Sequence, residues 1–335
     1  MAIKFGINGF GRIGRCVARI AAQNPSVDLV AINDLTSAEQ LAYLFKYDST
    51  HGKYAGVVSN TENSISVDGD KMRVFSEKDP SNIPWGDLGV DYVLECTGIF
   101  RNKEQASKHI EAGAKFVLMS APGKGLDMTF VLGVNEKGFT PDMTVIDVAS
   151  CTTNCLAPVA KVLHENFGIQ NGLMTTIHSY TNDQGLLDAP HKSDFRRARA
   201  AAVNMVITTT GAAVAVTKAM PELKGKLDGM SVRVPTPNVS CVDLVATFEK
   251  PVTVESINAA MKKAAQTTLN GILAYTEDPV VSTDMMNDPH SSIFDSKATM
   301  VIGTHMAKTI SWYDNEWGYS ARMVDALLFV DNKRK

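Results

Sequence analysis

Cys151 lies in the run Ala149-Ser150-Cys151-Thr152-Thr153-Asn154-Cys155, behind an apolar strand pattern and ahead of an apolar helical one that carries Pro158 in its first turns. A thiol at a helix start faces free backbone N–H groups and the positive end of the macrodipole. Both favour the thiolate, so a lowered pKa and a nucleophile near neutral pH are expected. Cys155, one turn on, and Cys16, Cys96 and Cys241 read as small buried hydrophobes. A second run, Gly9-Phe10-Gly11-Arg12-Ile13-Gly14, follows the alternating Ile3, Phe5 and Ile7, opens a helical pattern, and precedes Asn33-Asp34 at the end of the next strand. In that context Gly9 permits a tight turn, Gly11 lets a pyrophosphate approach, and Gly14 lets helix pack on strand. Asp34 is placed to accept hydrogen bonds from ribose hydroxyls and to repel a 2′-phosphate, which favours NAD over NADP.

The elements that must position these groups change rhythm near residue 150. Before it, short apolar strands at 29–32, 92–94, 116–119 and 144–146 alternate with helical patterns at 11–22, 37–46 and 102–112, the signature of βαβ units and a parallel sheet. After it, a helix over about 152–166 is followed by strands near 171–178, 228–234, 241–249, 298–303 and 307–313, then an amphipathic segment at 317–330. The expected class is therefore α/β, a Rossmann doubly wound parallel sheet, plus an α+β domain with a mixed, largely antiparallel sheet.

Composition narrows the rest. A chain of 335 residues with a net charge of −3 carries no global basic field for nucleic acid or anionic membranes. No run approaches eighteen apolar residues, and Met1 to Phe5 enter a strand pattern directly, so a cytoplasmic protein is expected. Five cysteines in a large chain argue for reduced thiols, and seven scattered histidines without Cys-x-x-Cys or His-Glu-x-x-His predict no metal site. No phosphate-loop lysine motif occurs, which disfavours an ATPase.

Ser150 to Cys155, Ile7 to Arg15, Lys46 to Gly52, Thr175 to Thr181, Thr209 to Ala213, Arg233 to Asn238 and Ser311 to Glu316 together resemble the phosphorylating glyceraldehyde-3-phosphate dehydrogenases, from residue 2 to 330. The resemblance implies attack of Cys151 on an aldehyde, hydride transfer to NAD, and capture of the thioester by inorganic phosphate, in glycolysis or gluconeogenesis. His178, ending Thr-Thr-x-His, becomes the implied base; from the residues alone any of seven histidines is more often structural. Ser150, Thr152, Thr210 and Gly211 are implied for the attacking phosphate, and Thr181 and Arg233 for the phosphate ester of glyceraldehyde 3-phosphate. Arg196, in the long polar stretch 179–204, looks like a further phosphate ligand. Arg12, Ile13, Lys78, Ser120 and Asn315 are placed around NAD, Asn315 against the nicotinamide carboxamide. The family also implies a homotetramer and two domains, an NAD-binding one of 1–149 and 315–335 and a catalytic one of 150–314. Ala189 stands where NAD-specific members carry a bulkier apolar residue, which leaves some NADP use open. An erythrose-4-phosphate dehydrogenase is the enzymatic alternative, and an added RNA- or surface-binding role finds no aromatic motif or basic stripe in its favour.

Overall fold

A computed structural model describes residues 2–335, which divide into two compact units. The first comprises residues 2–130, Lys137–Ala149 and Ser320–Lys335. Its strands and helices run β1 (Ile3–Asn8), α1 (Arg12–Ala21), β2 (Val27–Asn33), α2 (Ala38–Lys46), β3 (Val58–Thr61), β4 (Ser64–Val67), β5 (Asp70–Phe75), β6 (Tyr92–Glu95), α3 (Lys103–Glu111), β7 (Phe116–Met119), β8 (Met128–Thr129) and β9 (Val145–Asp147). The sheet order is β3-β4-β5-β2-β1-β6-β7-β9-β8, parallel from β5 to β8 and antiparallel at the β3-β4-β5 edge. The chain passes from β1 to β2 on one side and returns to β6 on the other, so β1 sits at the switch point where a doubly wound sheet opens a crevice. Phe5 and Ile7 of β1 are fully buried, as expected for a strand covered on both faces.

The glycine run does its work at the end of β1. Gly9 has φ +92°, and a Cβ there would meet the backbone nitrogen of Thr97 at 2.7 Å. At Gly14, inside α1, a Cβ would lie 2.2 Å from the carbonyl oxygen of Gly9, so helix and strand close only without a side chain. Around Gly11 nothing lies within 4 Å of that position, leaving a cradle above the uncapped N-terminus of α1.

The second unit comprises Val131–Glu136 and Ser150–Tyr319. It contains α4 (Cys151–Phe167), β10 (Ile169–Ser179), β11 (Val206–Thr209), α5 (Ala212–Ala219), β12 (Leu227–Val234), β13 (Ser240–Phe248), α6 (Val254–Gln266), β14 (Leu273–Thr276), β15 (Ser292–Ile302), β16 (Met306–Tyr313) and the first turn of α7 (Trp317–Arg334). The order β11-β12-β10-β13-β16-β15-β14 is antiparallel except for β10 with β12 and β14 with β15, the mixed sheet expected. Residues 131–136 and 315–319 fall with this unit rather than with the nucleotide-binding one as expected from sequence. Helix α4 is buried almost all round, Leu156 and Leu163 completely, each burial contributing roughly 1.5–3 kcal/mol. No helix among the described residues is long and apolar enough to cross a membrane.

Gly14→Ala is expected to destabilise the protein by about 1–3 kcal/mol through overpacking, outweighing the gain of about 1 kcal/mol that alanine ordinarily brings to a helix interior. Gly11→Ala, with open space around it, should cost less than about 1 kcal/mol. Urea unfolding midpoints of the two variants test the contrast.

Candidate active site

Four neighbouring strand ends of the second unit place the polar side chains. In the β10–β12 register His178 lies beside Arg233, and in the β13–β16 register Ser240 lies opposite Tyr313. Two residues ahead of Cys151, Ala149 takes the left-handed backbone conformation, φ +54°, at a cost of about 1–3 kcal/mol typical of strained functional turns. Ser150 then caps α4, its Oγ accepting from the Thr153 N–H at 3.1 Å, and Cys151 opens the helix.

Cys151 Sγ is 3.6 Å from His178 Nε2, sulfur hydrogen-bond range. His178 is 5% exposed, and its Nδ1 lies 2.7 Å from the Ser179 carbonyl oxygen. A carbonyl only accepts, so Nδ1 carries the proton and a neutral ring must offer its Nε2 lone pair to the thiol. Burial, helped by the Arg233 guanidinium and opposed by the Ser179 carbonyl, pushes the His178 pKa down to about 4, so the ring is neutral near pH 7. The thiol departs from the sequence expectation. Burial pushes the Cys151 pKa above its ordinary value, while Arg233 and hydrogen bonds at Thr152 and the Cys151 backbone pull the other way and do not win. A helix start contributes typically 0.3–1 kcal/mol, too little to offset loss of water around a thiolate. The resting pair is thus thiol and imidazole, with the acceptor already aimed.

Arg233 supplies the positive charge. Its Nη1 donates to Thr181 Oγ1 at 2.8 Å, while its Nε is buried without a partner, an orphan donor suited to an anion. Burial and then the Arg197 guanidinium lower the Arg233 pKa, so two cationic heads face one region. Arg197 donates to Thr208 Oγ1 at 2.8 Å, to Asp183 at 2.7 Å and to the Thr209 carbonyl at 3.2 Å. Arg196, the residue singled out from sequence, is exposed and reaches only the Ile207 carbonyl at 3.5 Å. Adjacent arginines in one loop carry no sequence signal for which turns inward; the β11 contacts decide it. Thr210 Oγ1 accepts from the Ala212 N–H at 3.2 Å, and Gly211 precedes α5 with no side-chain cap. The Thr152 hydroxyl is turned inward, 2.8 Å from Tyr313 Oη, which also meets Thr176 Oγ1 at 2.9 Å. Burial raises the Tyr313 pKa well above its usual value, so this phenol stays protonated.

In the first unit, Asp34 Oδ2 accepts from the Phe10 N–H at 2.8 Å and Oδ1 from the Thr36 N–H at 3.1 Å, fixing the carboxylate at the mouth of the Gly11 cradle. Its remaining lone pairs suit a ribose diol. Arg12 pairs with Asp48 through two hydrogen bonds, 2.5 and 3.1 Å. Burial pushes the Asp48 carboxyl up, but Arg12 and backbone N–H groups hold it well below the usual carboxylate range. Ile13 lies partly buried in the first turn of α1, Lys78 is exposed beyond β5, and Ser120 directly follows β7 with its N–H on the Glu95 carbonyl at 2.9 Å. Asn315, in the second unit, is 7% exposed with Oδ1 held by Ser179 and Ser240.

Models of the NAD binding domain and of the C-terminal domain of glyceraldehyde 3-phosphate dehydrogenase match residues 3–103 and 150–315. The chain is 58% identical over 334 residues to glyceraldehyde-3-phosphate dehydrogenase of Geobacillus stearothermophilus, covering 99% of both chains. It is 55% identical to glyceraldehyde-3-phosphate dehydrogenase 1 of Bacillus subtilis, again over 99% of both. With the Wickerhamomyces ciferrii glyceraldehyde-3-phosphate dehydrogenase it shares 53% identity over 99% of this chain and 100% of that one.

The depressed His178 pKa has a stability consequence. Between pH 6.5 and about 4 the unfolded chain binds a proton that the folded chain refuses, so stability falls as pH drops through that window. At pH 5 the loss is about 2 kcal/mol. His178→Asn is expected to remove that part of the acid destabilisation, read as the urea midpoint at pH 7 against pH 5; an unchanged slope would place the proton elsewhere.

Proposed function

The chain belongs to the glyceraldehyde-3-phosphate dehydrogenase family, and from that premise we propose that it oxidises glyceraldehyde 3-phosphate through a thioester on Cys151 and passes the acyl group to inorganic phosphate. The observation that carries this reading is the 3.6 Å approach of Cys151 Sγ to the His178 Nε2 lone pair beside an arginine with a buried, unpartnered Nε–H.

Cys151 attacks the aldehyde carbon as its proton passes to Nε2, so thiolate character develops only at the moment of bonding. The imidazolium formed keeps its Nδ1–H on the Ser179 carbonyl and turns its Nε2–H toward the new oxyanion. NAD, when bound, supplies the acceptor for the hydride. Gly9, Gly11, Gly14 and the α1 amides of Arg12 and Ile13 form its pyrophosphate cradle, Asp34 its ribose acceptor, and Lys78 and Ser120 lie further along the same crevice. Asn315 offers its Nδ2–H to the nicotinamide carboxamide. Arg233, Thr181, Arg197 and the α5 start at Thr210-Gly211 take the phosphate groups, with Ser150 and Thr152 at the head of α4. A dianion beside Arg233 offsets the guanidinium field that weakens His178, so the base strengthens as substrate arrives.

Self-association as a homotetramer fits the stretch from 186 to 205, where Leu186, Leu187, Phe195, Val203 and Met205 are all more than 70% exposed.

NADH formation from glyceraldehyde 3-phosphate should require both inorganic phosphate and Cys151, and Cys151→Ser should lower kcat by more than about 10³-fold. Turnover without phosphate would instead assign a hydrolysing relative such as an erythrose-4-phosphate dehydrogenase. Asp34→Ala should narrow the preference for NAD over NADP, measured as the ratio of kcat/KM, by about tenfold or more; wild type using NADP equally well would overturn the role of Asp34.

A further inference from the structure

Ser179 and Ser240 are buried serines, 0% and 2% exposed, whose hydroxyls no step above uses. Ser179 is the last residue of β10 and Ser240 the first of β13, and the Ser179 N–H donates to Ser240 Oγ at 3.0 Å. Both hydroxyls donate to one atom, Asn315 Oδ1, at 3.0 and 2.9 Å. An amide has two lone pairs on its oxygen and two hydrogens on its nitrogen, and the two ends are nearly equal in shape. Two hydroxyl donors on the oxygen remove that ambiguity. With Oδ1 filled, Asn315 can offer only Nδ2–H, and Nδ2 has no partner among the described residues. Ser179 has a third role: its carbonyl oxygen fixes the His178 tautomer. One residue thus touches both the base and the amide.

The backbone here is held under strain. Val239, buried and β-branched, has φ +68°, a conformation that such residues rarely adopt. It persists between two ties to one segment, Asn238 Nδ2 to Asp314 Oδ1 at 2.9 Å and Ser240 Oγ to Asn315 Oδ1. A core that needed only packing would not require a left-handed valine to aim a serine at a neighbouring amide.

We infer that Ser179 and Ser240 are positioning residues that lock the Asn315 carboxamide with its Nδ2–H outward, so that the protein presents a donor, and not an acceptor, to the carboxamide oxygen of the nicotinamide. This rests on the reading of Asn315 given under Proposed function. The pair acts on the orientation of the nicotinamide ring and leaves recognition of the adenosine diphosphate half alone.

The test compares binding of NAD with that of ADP-ribose, which lacks the nicotinamide, by titration calorimetry on the full chain. Ser179→Ala with Ser240→Ala should weaken NAD by about tenfold and ADP-ribose by less than twofold. Ser179→Thr and Ser240→Thr, which keep the hydroxyl, should restore NAD affinity. The pH profile of Cys151 alkylation by iodoacetamide should stay in place, because the Ser179 carbonyl remains on His178. Asn315→Asp, which can still accept from both serines but has no Nδ2–H, separates the two ideas. If it weakens NAD while the serine variants do not, the locking role is overturned and the Asn315 reading survives. If neither affects NAD, the Asn315 reading fails and the inference with it. Should the double variant not fold, each single Ser→Ala carries the same comparison with an expected threefold or so loss.

Discussion

A carbonyl oxygen that can only accept, set 2.7 Å from a buried imidazole, is the constraint on which the active centre depends. It forces the proton of His178 onto Nδ1 and leaves the other nitrogen as the only basic atom facing Cys151. The carbonyl belongs to the next residue in the chain, so its direction follows from how β10 ends. That ending is shared by its neighbours: β12 stops beside it with Arg233 and Val234, β13 starts beside it with Ser240, and β16 finishes at Tyr313, two residues before Asn315. Sheet register therefore brings base, guanidinium, serines and amide to one edge without a dedicated loop for each.

Burial rather than the helix start sets the resting charge. The thiols of Cys96 and Cys241 are pushed up to about 12 by loss of water, and Cys151 moves in the same direction. What separates Cys151 from the others is an aligned proton acceptor and a cation, not a standing negative charge.

Much of this was legible from residue types in order. The glycine run and Asp34 are short-range features whose geometry is local to one βαβ unit, and Ser150 to Cys155 is a continuous segment. The sequence pattern also shows the change from a parallel to a mixed sheet. It does not announce β3 to β5, since these strands are short and polar; the Asp68-Gly69 hairpin, with φ values of +52° and +101°, is the available signal. Helix α5 and the start of β15 are likewise weak in hydrophobic period, whereas α6 buries Ile257, Met261 and Ala264 at helical spacing. At the site, what escapes sequence is everything decided by cross-strand neighbours: Arg197 turning in while Arg196 turns out, Thr152 facing Tyr313, and the serine pair on Asn315. The thiol pKa escapes too, because a motif records the helix start but not the burial around it.

The first unit is not continuous in sequence. Its last piece, Ser320–Lys335, contributes Asp331, which accepts from the Tyr92 hydroxyl at 3.0 Å, Phe329, whose ring lies 5.3 Å from that of Phe130, and Arg334, which donates to the Pro141 and Met143 carbonyls at 3.0 and 2.6 Å. A nascent chain thus presents the glycine cradle early but lacks Phe329, Asp331 and Arg334 until the whole of Ser150–Tyr319 has been made. Biosynthesis favours folding of N-terminal portions first. Here that order runs into a unit whose closing piece comes after the whole of the second unit, so its early segments depend on remaining unaggregated while Ser150–Tyr319 is synthesised.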